Sequence, residues 1–317
     1  MRAGLAVLIY HRVGSEADPL RPRMATADEF GRQMRVLARY FRPCGLAEGM
    51  RLLREDRLPA RSVAVTFDDG YADNARIALP ILVETRVPAT FFIATSYLDG
   101  GRMWNDTVIE AVRRIVPGEH RYPHAGLDRI SVPSSLDRRS LVLELLGALK
   151  HLPQAERQAA ADALRELAGQ PLPGGLMMSR REVRTLVDAG MDVGGHTRSH
   201  PILSGLSAEG AEEEIAGGLE DLAGIVGRRP ALFAYPNGRR GVDYGDREVA
   251  ILRRLGIAAA LVTHRGIVTR ESDPLQAPRL TPLHRDALRF GYALWRAYGA
   301  PQWHPESEPA IPLSDIA

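Results

Sequence analysis

One cysteine, Cys44, in 317 residues excludes an internal disulfide and with it a small stapled scaffold, and fits a reducing compartment. Long apolar runs are lacking as well. No stretch approaches the roughly 18 residues that a spanning helix requires. The N-terminal segment offers only Leu5 to Ile9, too short for the apolar core of a secretory leader. The expectation is a cytoplasmic protein, free or at the inner membrane face. An excess of one charge is missing too, because 41 Lys and Arg against 39 Asp and Glu leave +2, and the basic residues are scattered singly or in pairs. That excludes the electrostatic footprint of a nucleic-acid binder. What remains is ordinary. Hydrophobic residues at 45% and charged residues at 25%, with 30 Gly and 22 Pro, describe a loop-rich folded chain with core enough for one large domain or two small ones.

Short runs rich in Val, Ile and Phe alternate with helical patterns. Strands are expected at residues 5–10, 63–67, 89–94, 191–193, 231–235 and 257–263. Residues 26–41 read as a helix, because Phe30, Met34, Leu37 and Phe41 share a face and Thr26 with Glu29 forms a capping box. A helical stretch to about residue 85 should be kinked by Pro80. Between residues 96 and 178 strand signals lapse, and helices are expected at about 103–115, 137–150 and 154–167. Alternation resumes with a helix at 179–189, capped by Ser179 with Glu182 and stopped by Gly190, and with helices at 207–226 and 246–255. This pattern predicts an α/β fold with a parallel sheet, barrel or open, that carries its function at the strand C-terminal ends. The expected organisation is one domain over residues 1–300 with a helical insertion at about 96–178, and a C-terminal tail at 301–317. So long an excursion at a strand end is expected to cover the substrate groove and set specificity.

Two places carry chemistry. Asp68 and Asp69 end an apolar strand just before Gly70, where charge is costly unless a cation or base role compensates it. A simple turn is the other reading of Asp-Asp-Gly. His196 and His200, four residues apart, follow another strand and can chelate one ion from one side of a turn, or be surface histidines. A parallel barrel would bring both places to one rim. Asp69, His196 and His200 would then form a carboxylate and two imidazoles with open positions for water and substrate. The segment Gly205-Leu206-Ser207-Ala208-Glu209 misses the nucleophile-elbow pattern at its last position, and no phosphate-binding glycine loop is present.

With "TFDDGY" and "HTRSHP" the chain resembles the polysaccharide deacetylases, the NodB-like carbohydrate esterases of family four. The resemblance implies a distorted (β/α) barrel of seven or eight strands, Asp68 as general base, and Asp69, His196 and His200 as ligands of a divalent metal. Zinc is the first expectation for such a set, with cobalt, nickel and manganese as alternatives. The family's Arg-x-Pro-Tyr motif falls on Ala234-Tyr235-Pro236-Asn237, so the arginine that orients the base is replaced by Ala234, while Asn237 can still offer a backbone N–H to an oxyanion. Arg279 in "APRL" is a candidate substitute for that arginine. The general acid has three candidates, His284 first, then His264 and His11. Trp104 with Asn105 and Asp106 reads either as a sugar platform or as a helix start, and Phe290 to Tyr298 either as a membrane-facing or a core-facing segment.

The resemblance implies a metal-dependent hydrolase that removes the N-acetyl group of an amino sugar in a glycan, glycolipid or polysaccharide precursor. A hydrolase of a cyclic, non-sugar amide and an inactive carbohydrate-binding module are the alternatives. The expected partner is an N-acetylated sugar or glycan, free or lipid-linked, without nucleic acid and without stable membrane insertion; the oligomeric state is left open.

Overall fold

The computed structural model describes residues 4–134 and 138–299. The expected tail at 301–317 and the start of the helix expected from 137 lie outside the described residues. The chain divides into two compact units, the larger from residues 4–16, 24–99 and 177–299, the smaller from 17–23, 100–134 and 138–176.

The larger unit is built on seven strands, β1 (Leu5–Tyr10), β2 (Ser62–Phe67), β3 (Ala89–Ile93), β4 (Asp192–Gly195), β5 (Leu232–Ala234), β6 (Ala259–Arg265) and β7 (Ala277–Arg279). Each pairs in parallel with the next. Just past β7, Leu280 returns to the first strand, its N–H donating to Val7 O at 2.7 Å and its carbonyl accepting from Ile9 N–H at 3.1 Å. The sheet therefore curls into a nearly closed barrel. β1 and β2 are buried along their whole length, as parallel strands covered on both faces should be.

The two-residue strand period sorts side chains between two cores. Leu5, Val7 and Ala64 point to an inner cluster with Ala234, Leu261 and Ala277, where small residues keep the barrel narrow. Ala6, Leu8, Val63 and Val65 belong to an outer cluster covered by helices. The helices, in chain order, are α1 (Ala27–Tyr40), α2 (Leu46–Arg54), α3 (Leu79–Thr85), α4 (Trp104–Val112), α5 (Arg139–Leu149), α6 (Gln154–Leu167), α7 (Arg180–Asp188), α8 (Ala208–Val226), α9 (Asp246–Arg254) and α10 (Ala287–Ala297). α2 sends Leu46, Met50 and Leu53 into the inner cluster.

The capping boxes at Thr26 and Ser179 form as the sequence requires. The disturbance expected at Pro80 takes the form of a π-turn over Asn74–Ala78, in which the Leu79 N–H reaches back to Asn74 O. Proline would crowd the carbonyl four residues before it, and the wider turn accommodates that.

The smaller unit has its own core of Val108, Val112, Tyr122, Ile130, Leu145 and Leu164. Helices α4, α5 and α6 match the patterns read from the sequence. Between α4 and α5, however, runs an antiparallel hairpin, Gly118–His124 with Leu127–Val132, that those patterns did not show. Its two-residue turn, Ala125 and Gly126, has φ of 57° and 76°, the geometry whose twist suits a hairpin. Arg21 clasps the segment Ala17–Arg23 onto α4 through Asp106 and Glu110, each at 2.8 Å.

Candidate metal centre

Parallel strands bring their C-terminal ends to one rim, and there the loops after β2 and β4 meet. Asp68 and Asp69 follow β2, and His196 follows β4. The backbone at Asp69 is left-handed, φ 77°, and the next residue is Gly70 at φ 91°. This reversal sends two successive carboxylates to different partners. Asp69 Oδ1 lies 3.4 Å from His196 Nε2 and 3.5 Å from His200 Nε2. One ligand atom from each of the three residues falls within 4.8 Å of the others.

The donor set suits a divalent ion. His196 Nδ1 is 2.7 Å from Ala234 O, so that nitrogen carries a proton, and in the neutral ring Nε2, on the side of Asp69, is the atom free to ligate. Ala234, at the position of the missing motif arginine, thus contributes its carbonyl. Burial pushes His200 down to about 4, leaving a neutral ring able to ligate. Burial would also lower His196, but the hydrogen bond that its protonated ring donates to Asp69 and the charge of Asp68 raise it above its ordinary value. For Asp69 burial acts upward and is more than offset by His196 and His200, so its carboxyl lies well below the usual range.

The turn bearing the histidines is held from α8. Glu214 accepts from the N–H groups of Arg198 and Ser199 at 3.0 and 2.8 Å and from Ser199 Oγ at 2.7 Å. A Cβ at Gly218 would stand 2.7 Å from the carbonyl carbon of Thr197, so close packing there requires glycine. Of the nine described non-glycine residues with positive φ, three, Asp69, Thr197 and His200, lie in the two loops that form this centre.

Asp68 goes elsewhere. Arg279 Nη1 and Nη2 donate to its two oxygens, each at 2.7 Å, in a bidentate pair, and Arg279 Nε donates to Val262 O at 3.0 Å. Asp68 is 2% and Arg279 1% exposed. Burial raises the Asp68 carboxyl, yet the charge of Arg279, followed by His196, overcomes it and leaves the group below the ordinary value. The arginine missing from the motif is therefore supplied by β7.

The remaining candidates part company. His11, exposed directly after β1, follows Tyr10, whose carbonyl accepts from the Asp68 N–H at 3.0 Å, and its own carbonyl accepts from Asn74 Nδ2 at 2.9 Å. His264 is buried beside Asp243 and Arg239. His284 is exposed ahead of α10, and its carbonyl accepts from Gln33 Nε2 at 3.0 Å. Asn237 sits on the turn after β5 at φ 58°, with its carbonyl held by Thr263 Oγ1 at 2.7 Å. Glu214 was not expected from the sequence, where a glutamate among the acidic residues of α8 carries no special signal.

A family model described as polysaccharide deacetylase matches residues 55–140 and 148–260. The chain belongs to the polysaccharide deacetylase family. Among solved structures, this deacetylase-family chain is similar to the Streptococcus pyogenes deacetylase PplD in complex with acetate, at 18% identity and TM-score 0.62, covering 94% of this chain and 99% of that one. It is also similar to IcaB from Ammonifex degensii, at 20% identity and TM-score 0.60, covering 92% and 97%. These likenesses establish the fold across both units of the family member. No curated protein sequence matches the chain.

Proposed function

We propose that the protein hydrolyses the N-acetyl group of an amino sugar in a glycan, glycolipid or polysaccharide precursor, using a divalent metal held by Asp69, His196 and His200. The observation that carries this reading is the division of labour in the carboxylate pair: Asp69 faces two imidazoles while Asp68, one residue away, is locked and ionised by Arg279. A divalent ion in that set supplies Lewis acidity, polarising a carbonyl and making a water more acidic; zinc suits the ligands best. Asp68 accepts the proton of the attacking water, for which its ionised state is required. As oxygen becomes nucleophilic toward the acetamide carbon, negative charge grows on the carbonyl oxygen, and the Asn237 backbone N–H is placed in this reading to receive it. Collapse breaks the C–N bond. The departing amine takes its proton from His11, the histidine that follows β1 directly beyond Tyr10, whose carbonyl accepts from the Asp68 N–H at 3.0 Å. Acetate, the product expected here, accompanies the similar PplD structure.

The test is acetate release from N-acetylated oligosaccharides with a divalent metal present. Ring opening of a cyclic amide without acetate release, or glycan binding without turnover, would replace this reading by one of its alternatives. The role of His11 has its own signature. His11→Gln should lower kcat on the acetamide by about 10², yet cost little on an activated aryl acetate, whose leaving group needs no proton. Equal losses on both substrates would contradict the assignment, as would a comparable acetamide defect in His284→Gln. The metal set predicts that Asp69→Ala loses bound metal and turnover together, read by metal analysis of the purified protein beside the acetate assay; retention of stoichiometric metal would remove Asp69 from the ligand set.

A further inference from the structure

Helix α10 is apolar on both faces. Phe290, Leu294 and Ala297 are buried in the outer core. Leu288, Tyr292 and Trp295, spaced i, i+4 and i+7 on the opposite side, are 83%, 62% and 49% exposed. The Tyr292 and Trp295 rings stack at 6.1 Å, so the stripe is continuous. Beside it lies α1, close enough that a Cβ on Gly291 would meet Val36 at 3.1 Å, and α1 ends in the half-exposed Tyr40.

The charges along the bodies of both helices beside this stripe are positive. α10 contains no acidic residue, and Arg289 and Arg296 stand on one flank of the stripe. α1 adds exposed Arg32, Arg35 and Arg39. Guanidinium groups lie over the aromatic rings themselves, Arg296 at 5.9 Å from the Tyr292 centroid and Arg39 at 5.5 Å from that of Tyr40. The acids nearby are confined to the helix starts, where Asp286 caps α10 and Glu29 closes the capping box of α1 with Arg285 at 3.6 Å.

We propose that this face docks reversibly on an anionic phospholipid bilayer. Tyr and Trp have apolar bodies and polar tips that suit the headgroup boundary. A cationic fringe around an exposed aromatic and leucine stripe is the composition of an interfacial helix. A protein partner would be met by a mixed polar rim, whereas here the exposed charges along the bodies of α10 and α1 are arginines, with acids only at the helix starts, and so complement a negative surface. Attachment is peripheral, since no helix among the described residues is long and apolar enough to cross a membrane. The inference stands apart from the deacetylase reading, because lipid binding is measured without turnover.

The full chain is sedimented with vesicles of phosphatidylcholine alone and with vesicles containing about 30% phosphatidylglycerol. Binding is expected only to the anionic vesicles, with release as salt shortens the screening length. Leu288→Ser with Tyr292→Ser and Trp295→Ser should lower the partition coefficient at least about tenfold. Arg289→Glu with Arg296→Glu should do the same through charge, while far-UV circular dichroism stays that of the parent. No binding to anionic vesicles, or binding that neither variant weakens, overturns the proposal. So does a parent dimer that the triple variant dissociates in light scattering without any lipid binding, which would make the face a contact between two copies.

Discussion

Asp68→Asn is expected to lower kcat by roughly 10²–10⁴, the usual worth of a general base, while metal remains bound. Asparagine keeps the size of the side chain and one acceptor for Arg279, but the buried guanidinium loses its counter-charge, so the variant should also be less stable and its kinetics are read well below its unfolding transition. What disappears is the capacity to take a proton. Because the metal ligands lie on the neighbouring residue and on the turn after β4, metal content should stay at the parental level. KM should change far less than kcat, since the lost interaction strengthens only as the proton moves. Metal analysis with steady-state kinetics decides this. Loss of metal with activity would make Asp68 a ligand, and normal turnover would make the carboxylate pair an ordinary turn.

Arg279→Met should cost about 3–5 kcal/mol of stability at neutral pH, because removing one partner of a buried pair leaves the other charge without compensation. Asp68 is buried and both its oxygens are committed to this guanidinium. A carboxylate whose pKa is depressed by folding adds stability above its unfolded value, about 3.9, and loses it as pH falls through the folded value. The gap between parent and variant in urea unfolding should therefore close toward low pH. With the guanidinium gone, burial loses its largest counterweight and raises the Asp68 pKa. The acid limb of the pH–rate profile should then move upward in the variant, since the base must be ionised. An unshifted limb would show that Arg279 holds structure and does not tune the base.

Much of the centre was legible because its parts are local. Asp68 with Asp69, and His196 with His200, each lie within one loop directly after a strand, and parallel topology alone brings those loops to one rim. The strands themselves were readable because burial on both faces writes unbroken apolar runs such as Leu5–Tyr10. β7 was not readable. It has three residues, one of them Pro278, and is a strand only because β6 on one side and the end of β1 on the other complete it. The pairing of Arg279 with Asp68, far apart in the chain, is a tertiary fact that no window of sequence contains. The hairpin Gly118–His124 with Leu127–Val132 escaped for a related reason. It buries only Tyr122, Ile130 and Val132, and carries Pro123 and several charges, so its alternation is faint.

The three histidines offered as general acid show the same limit from another side. The sequence put His284 first, then His264 and His11, but no local pattern says which of them lies near the carboxylates. The parallel pairing of β1 with β2 sets the end of β1 next to the loop after β2, where the Asp68 N–H donates to Tyr10 O beside His11, and Asn74 from the π-turn holds the His11 carbonyl. On α10 the pattern permitted either a core-facing or an outward aromatic segment, and the structure divides them: Phe290 and Tyr298 are buried, Tyr292 and Trp295 exposed.

The most direct test is acetate release from an N-acetylated glycan, measured while metal-stripped protein is titrated with zinc. The account predicts no turnover without metal, a rise that saturates at about one equivalent per chain for a single three-ligand site, and no rise in Asp69→Ala. Full acetate release by metal-free protein would contradict it.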